Sequence, residues 1–165
     1  MDLRVKIREI ENSEISLLDN FLYDAIYIPE GMGKPGKEII KQPELSRYIK
    51  DFGKATDLCL VAESDGCLIG AIWTRIFTET EKGYGYLDSR TPELSMSVSE
   101  NYRQMGIGTL LLEAMIDRLI QHGYEQVSLS VDKLNYAFKM YQKSGFETVH
   151  SDEESVTMIK KLKKE

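Results

Sequence analysis

The stretch that decides the fold is Ser97-Val98-Ser99-Glu100-Asn101-Tyr102-Arg103-Gln104-Met105-Gly106-Ile107-Gly108-Thr109-Leu110. It has the pattern of a β-strand end, a turn with two glycines, and the start of an apolar helix. The first N–H groups of a helix have no intrahelical partner and carry partial positive charge, so the turn predicts an anion site. Gly106 and Gly108 would let a phosphate approach the backbone, and Arg103 would hold the phosphate or brace the loop.

A second glycine-rich stretch, residues 31–38, is a weaker candidate for a phosphate site. Its sequence Gly-Met-Gly-Lys-Pro-Gly-Lys-Glu approaches the P-loop pattern of nucleotide-binding proteins. However, Glu38 stands where that pattern needs a Mg²⁺-binding hydroxyl, and Pro35 removes a backbone amide. The residues before it have a helical pattern rather than that of a strand, so nucleotide hydrolysis is disfavoured.

Hydrophobic periodicity predicts the element order β-α-α-β-β-β-α-β-α-β-β. The predicted strands cover residues 3–8, 58–63, 67–77, 93–99, 126–131, 146–150 and 154–160, and the predicted helices cover residues 13–26, 43–52, 107–122 and 135–144. Ser13 is the expected N-cap of the first helix. Residues 64–66 predict a hairpin turn, and the polar loop 78–92 is long enough to be functional.

These elements predict one α/β (α+β) domain over residues 1–165. We expect a mixed, mostly antiparallel sheet of six to seven strands, flanked by about four helices. The length of 165 residues suits one ordinary domain.

Composition favours a soluble globular protein, with 42% hydrophobic and 29% charged residues. The formal net charge of −6 argues against nucleic-acid binding. No apolar run reaches the roughly 20 residues that span a bilayer, and the first residues lack a signal-peptide pattern, so a cytoplasmic location is expected. Cys59 and Cys67 form no CxxC pair, which predicts reduced, mostly buried thiols and no metal site.

From Glu93 to Phe146 the chain resembles the GNAT superfamily of N-acetyltransferases. The family signature Arg/Gln-x-x-Gly-x-Gly/Ala appears as residues 103–108, preceded at the usual distance by a strand that ends in Val98. A second family segment, Asn-x-Ala-x-x-x-Tyr-x-x-x-Gly-Phe after a strand, corresponds to residues 135–146. The resemblance implies acetyl-CoA as co-substrate, no metal, and a gap between the fourth and fifth strands, opened by a β-bulge, in which the thioester lies.

The resemblance also implies which residues contact the co-substrate. They comprise one strand segment, the glycine turn and one wall of the second motif: Met96, Ser97, Val98, Arg103, Gln104, Met105, Gly106, Ile107, Gly108, Thr109, Asn135, Ala137 and Tyr141. The strand backbone would pair with the pantetheine arm, and the turn amides would cradle the pyrophosphate. Gln104 and Met105 depart from the Gly and Lys that are common in the family, which removes one cation near the phosphates.

Acetyl transfer to an amine needs a base, stabilisation of an oxyanion and protonation of the departing thiolate. Tyr141 is the candidate acid, because a phenol with a pKa near ~10 can protonate a thiolate whose thiol has a pKa near ~8.5. Glu93, at the start of its strand, is the candidate base, directly or through water. The Val98 amide is the expected oxyanion donor. No cysteine is needed, which favours direct transfer without an acetyl-enzyme.

The acceptor is expected to be an amine of a small molecule or peptide, and the protein a monomer or homodimer. Aromatic residues of the first helix and the 78–92 loop would form an acceptor wall, namely Phe21, Tyr23, Tyr27, Tyr84 and Tyr86. An acyl-CoA-binding module that regulates a partner without catalysis is the alternative, although Tyr141 argues against it.

Overall fold

The computed structural model describes residues 4–162. Seven strands form one sheet in the order β1-β2-β3-β4-β5-β7-β6. Their bounds are β1 Lys6–Glu9, β2 Leu58–Ser64, β3 Cys67–Arg75, β4 Glu93–Val98, β5 Gln126–Asp132, β6 Glu147–Ser151 and β7 Ser155–Lys161. All neighbouring strands are antiparallel except β4 and β5, which are parallel.

Four α-helices and three 3₁₀ helices connect the strands. The α-helices are α1 Leu18–Ala25, α2 Pro43–Ser46, α3 Ile107–Gln121 and α4 Ala137–Lys143, and the 3₁₀ helices are Asn12–Leu17, Lys37–Lys41 and Glu100–Tyr102. The predicted fold class, the sheet of up to seven strands and the four helices are therefore confirmed. No helix within residues 4–162 is both long enough and apolar enough to cross a membrane.

Helix α3 covers one face of the sheet because its apolar residues recur at helical spacing. Leu111, Leu112, Met115 and Leu119 are almost fully buried and share one core cluster with the apolar side chains of β2, β3, β5 and β7. This cluster anchors the helix whose first turn forms one end of the site.

The opposite face of the sheet is covered by α1 and by residues 37–52. Leu18, Phe21 and Leu22 of α1 pack in a second cluster with the fully buried Trp73 of β3. Between β2 and β3, Asp65 and Gly66 take positive φ angles of 50° and 79°, as the predicted tight hairpin turn requires.

The gap between β4 and β5 is present. The two parallel strands share one residue pair, Glu93 with Ser128, and then separate toward the C-terminal end of β4. The expected β-bulge is absent from β4, because its register with β3 is continuous from Gly70–Val98 to Arg75–Glu93. Strands β4 and β5 stop pairing after this one residue pair, so the gap opens without any shift in register between β3 and β4.

The helix expected over residues 13–26 begins instead as a 3₁₀ helix at Asn12, and Glu11 rather than Ser13 is its N-cap. The Glu11 amide donates to the Glu14 carboxylate (2.9 Å), which fixes this start. Strand β1 was expected from residue 3, which lies outside the described residues.

The helix expected over residues 43–52 is α-helical only at Pro43–Ser46 and continues as turns. Carbonyl groups that would accept hydrogen bonds within a longer helix accept instead from side chains of β3. Arg75 donates to the Arg47 carbonyl (2.9 Å), and Trp73 donates to the Tyr48 carbonyl (3.2 Å).

Of the two cysteines, Cys59 is buried within β2 and Cys67 is exposed at the start of β3. The expectation of buried thiols therefore holds only for Cys59. Cys67 lies beside the hairpin turn, where β3 is still exposed to solvent.

Candidate active site

One cleft of about 1250 Å³ brings the two sequence motifs together. It is lined by α1 and the loop after it, β4, the turn before α3, the end of β5 and α4. Every site residue predicted from the sequence lines this cleft except Met105, which is 59% exposed. We call the part around Arg103–Thr109 the turn end and the part around Glu93 the carboxylate end.

The turn end presents a run of free backbone amides. Among the described residues, the amides from Gln104 to Thr109 donate to no backbone or side-chain group outside helix α3. The first helical hydrogen bond of α3 is donated by the Leu110 amide to the Gly106 carbonyl (3.1 Å). Gly106 is the N-cap with a φ of 83°, a left-handed conformation that favours glycine. The predicted anion-binding geometry is therefore present in the backbone.

Arg103 braces this turn. Its Nε donates to the Val98 carbonyl (2.9 Å), and an Nη reaches the Asp24 carbonyl (3.4 Å). Of the two roles considered for Arg103, the structure shows the bracing one, which ties the turn to the ends of β4 and α1.

The backbone of β4 offers hydrogen-bonding groups to the cleft at alternate residues. The Ser99 amide donates toward β3 (2.8 Å), whereas the Pro92 carbonyl accepts from β5 (3.0 Å). Because backbone directions alternate along a strand, odd-numbered residues face β3 and even-numbered residues face the gap. Met96 and Val98 therefore direct their amides into the cleft.

Ser97 has a different role from the one expected. Its backbone lies on the β3 side of this alternation, opposite Ala71, so a pantetheine contact through its backbone does not fit. Its side chain is buried and donates to the Phe21 carbonyl of α1 (2.7 Å). Ser97 thus fastens α1 to the sheet beneath the cleft.

The second motif forms the wall opposite β4. Gly108 faces both walls, since a Cβ on it would lie in van der Waals contact with Met96 and Met140, at 3.4 Å from each. Asn135 lines the cleft, but its Oδ1 accepts from the Ala137 amide (2.9 Å) and so starts α4. Its carboxamide oxygen is therefore engaged at the start of α4.

Tyr141 lies on α4 and is buried, with its ring packed edge-on against Phe146 at a centroid distance of 5.5 Å. Burial raises the pKa of Tyr141, and the nearby Tyr136 adds to the increase. Its hydroxyl makes no hydrogen bond to the described residues and borders the cleft, so the phenol remains protonated and free to donate.

At the carboxylate end, Glu93 is only 3% exposed. The Tyr48 hydroxyl donates to Glu93 Oε2 and accepts from the Tyr84 amide (2.6 Å). No described residue hydrogen-bonds to Glu93 Oε1. Gly83 packs over this pair, since a Cβ there would collide with the carboxylate and lie 2.7 Å from the Tyr48 hydroxyl.

Burial raises the pKa of Glu93 to about 7. The hydrogen bond from Tyr48 and the proximity of the Gly85 amide act in the opposite direction and favour the anion. The nearest cation across the sheet, Arg75, is already bound to Asp57 (2.9 Å) and both are buried. Glu93 can therefore exchange a proton near neutral pH.

The expected aromatic wall is only partly present. Tyr27 and Tyr84 line the cleft, whereas Phe21 is buried in the core, Tyr23 binds the Pro35 carbonyl, and Tyr86 packs beside Lys82. Sequence reasoning missed Tyr48, which lies 45 residues from Glu93 inside a predicted helix. Its contact with Glu93 has no local sequence signal.

Neither cysteine lines the cleft. Among residues 4–162, no group of three or more His, Cys, Asp or Glu side chains is arranged to hold a metal ion.

Residues 25–146 match the model of the acetyltransferase (GNAT) family. The chain belongs to this family. Among solved structures, it resembles the PaiA N-acetyltransferase of Thermoplasma acidophilum in complex with coenzyme A, with a TM-score of 0.67 and 22% identity over 96% of this chain and 99% of the other. This likeness confirms the GNAT fold.

Two relatives of known name match this GNAT chain. It is 38% identical over 111 residues to an N-alpha-acetyltransferase of Sulfurisphaera tokodaii, covering 62% of each chain. It is 32% identical over 97 residues to a mycothiol acetyltransferase of Acidimicrobium ferrooxidans, covering 56% of this chain and 29% of the relative. The chain thus matches less than two thirds of the length of either relative.

Proposed function

We propose that the protein transfers an acetyl group from acetyl-CoA directly to a primary amine. The observation that carries this proposal is the arrangement of the cleft, which joins a free-amide turn, the β4–β5 gap, a protonated tyrosine and a buried carboxylate. The family supports the reaction class, and the coenzyme A complex of the PaiA structure supports the donor.

The residues present fit acetyl-CoA. The amides from Gln104 to Thr109 would hold the pyrophosphate at the start of α3, where the helix dipole favours an anion. The gap-facing Met96 backbone would pair with the amide groups of the pantetheine arm. When bound, acetyl-CoA supplies an acetyl group already activated as a thioester.

Met96 is a better oxyanion donor than Val98, although both amides face the gap. A strand rises about 3.3 Å per residue, so Met96 lies about 10 Å along β4 from Glu93, and Val98 about 17 Å. An amine held at the Glu93 carboxylate can approach a carbonyl at Met96 more readily. The Val98 position is also next to the turn, where its carbonyl is bound by Arg103.

Glu93 acts as the general base in this proposal, directly or through water. Glu93 lines the cleft and its buried Oε1 lacks a partner, so this oxygen would accept a hydrogen bond from an amine. A base with a pKa of about 7 is well matched to neutral pH, because enough of it is ionised and it still holds a proton firmly.

Tyr141 protonates the departing thiolate. Its raised pKa keeps the proton on the phenol until negative charge develops on sulfur. Since neither cysteine borders the cleft, the amine attacks the thioester directly and no acetyl-enzyme forms.

The relatives support the class of acceptor less directly than they support acetyl transfer. The Sulfurisphaera tokodaii relative is named an N-alpha-acetyltransferase, and the Acidimicrobium ferrooxidans relative a mycothiol acetyltransferase. The acceptor is accordingly an amine of a peptide or small molecule. A cytoplasmic location and a monomeric or homodimeric state remain predictions.

The test measures release of free coenzyme A thiol from acetyl-CoA with a panel of amines, together with coenzyme A binding by calorimetry. Transfer to at least one amine supports the proposal. Tight coenzyme A binding with no thiol release from any amine would instead support the non-catalytic acyl-CoA-binding module.

A further inference from the structure

The carboxylate end of the cleft is apolar around Glu93. Its other lining residues come from α1, β4, residues 37–48 and the 78–92 loop, and most carry hydrocarbon or aromatic side chains: Leu22, Ile39, Gln42, Leu45, Tyr48 and Tyr84, together with the hydroxyl of Ser95. Gln42 is the one amide in this set. An occupant of this end therefore meets one buried carboxylate within a largely hydrophobic wall.

The remaining charged residues of the cleft belong to the turn end. Asp24 and Lys34 pair with each other (3.7 Å), and the Asp24 carbonyl accepts from Arg103. Glu100 precedes α3, and Asp132 ends β5. Among the described residues that line the cleft, Glu93 is thus the one charged group at the carboxylate end.

We propose that the acceptor is a primary amine carried on an apolar or aromatic group, with no carboxylate and no second amine close to the reacting nitrogen. This inference rests on the proposed function and names the substrate class of the same site. The Glu93 Oε1 atom receives the amine, and the hydrophobic wall receives the group attached to it.

The charge pattern disfavours other amines. A free amino acid would bring its carboxylate beside that of Glu93, into an end where the described residues that line the cleft include no cation. A polyamine or aminoglycoside would bring further ammonium groups that have no second acid there. Burying an unpaired charge is strongly unfavourable, so these acceptors bind weakly.

Two sources share the favoured chemistry: a small aralkylamine, and a peptide with an apolar first residue. Tyr84 and Met32 are 61% and 65% exposed and carry apolar surface to the rim of the cleft, where a peptide could continue. The α-amine of a peptide also has a lower pKa, near ~8, than an alkylamine, which suits a weak base.

The first experiment compares kcat/KM for 2-phenylethylamine, phenylalanine, spermidine and two peptide amides that begin with Phe or Asp. We expect 2-phenylethylamine or the Phe peptide to exceed phenylalanine, spermidine and the Asp peptide by at least about tenfold, the lower range of discrimination by an apolar pocket. The ratio between 2-phenylethylamine and the Phe peptide identifies the source.

Equal or better use of spermidine or phenylalanine would overturn the inference and leave acetyl transfer intact. If no amine causes release of coenzyme A thiol although coenzyme A binds, both this inference and the proposed function would be overturned.

A second experiment reverses the preference by design. Leu45 lines the carboxylate end and is half-buried, whereas the neighbouring Glu44 is exposed and lies outside the cleft. Leu45→Lys supplies a cation for an acceptor carboxylate, so the kcat/KM ratio of phenylalanine to 2-phenylethylamine should rise roughly tenfold. Glu44→Gln changes the net charge equally and should leave the ratio unchanged; an equal rise in both variants would contradict the proposed placement.

Discussion

The two ends of the cleft are built in different ways. The turn end is made of backbone from one continuous segment, Arg103–Thr109, and its geometry depends on the left-handed Gly106. The carboxylate end is made of side chains from three separate segments, which supply Tyr48, Gly83 and Glu93. A site built from backbone groups tolerates different side chains at its positions, as Gln104 and Met105 illustrate. A site built from side chains depends on the identity of each residue. The comparison predicts different failures when each end is altered.

The largest effect is expected at the turn end. Gly106→Val should weaken coenzyme A binding by roughly 10²- to 10⁴-fold, because it distorts the turn and displaces about two charge-assisted hydrogen bonds of about 1.5–3 kcal/mol each. Binding is measured by calorimetry at fixed ionic strength.

Gly123 provides a matched control. It has a φ of 84°, nearly the 83° of Gly106, and a Cβ at either glycine meets no atom within 4 Å. Gly123→Val should therefore carry the same cost of about 1–2 kcal/mol in unfolding free energy, yet leave coenzyme A affinity unchanged. Equal loss of affinity in both variants would mean that strain, not the turn, is responsible.

At the carboxylate end, Glu93→Gln should lower kcat by about 10²- to 10⁴-fold, the usual contribution of a general base. Coenzyme A affinity should persist, because the turn end is built independently. Steady-state kinetics and calorimetry together separate the two effects. Glu113→Gln, on the exposed side of α3, is the control for loss of one carboxylate. A joint loss of kcat and coenzyme A affinity in Glu93→Gln would show that the two ends are coupled.

The same contrast explains what sequence could predict. The backbone geometry of the turn end was predictable, because two glycines, a preceding strand and an apolar helix lie within fourteen residues, whereas the exposure of Met105 was not. Tyr48 was not, because its contact with Glu93 spans 45 residues and depends on how residues 43–52 unwind against β3. Ser97 shows an intermediate case: strand alternation places its side chain on the same face of β4 as that of Glu93, but its contact with Phe21 needed the tertiary structure.

Tyr141 lines the same cleft, and its hydroxyl should matter less than the Glu93 carboxylate. Tyr141→Phe should lower kcat by about 10- to 100-fold, since a thiolate with a thiol pKa near ~8.5 can depart without full protonation. Its ring packing against Phe146 is retained, so coenzyme A affinity and stability should change little. Kinetics with acetyl-CoA in excess provide the measurement. An equal loss of turnover and affinity would remove the acid role and make Tyr141 a binding residue.

The smallest effect concerns stability, and it sharpens the description of the carboxylate end. Burial raises the Glu93 pKa from 4.5 to about 7, so the folded state holds this proton at a pH where the unfolded state has released it. This stabilisation is fully present below the Glu93 pKa of the unfolded state, 4.5, and is lost as pH rises through the folded-state pKa of about 7. Glu93→Gln removes this loss while keeping an acceptor for the Tyr48 hydroxyl, so its unfolding free energy relative to the parent should increase by about 3 kcal/mol between pH 4.5 and pH 8. Urea denaturation at both pH values measures the difference, with Glu113→Gln as control.

A difference that does not depend on pH would mean that Glu93 is already ionised at low pH in the folded protein. The carboxylate end would then be better solvated than its burial indicates, and a base with a pKa near 7 would no longer explain catalysis there.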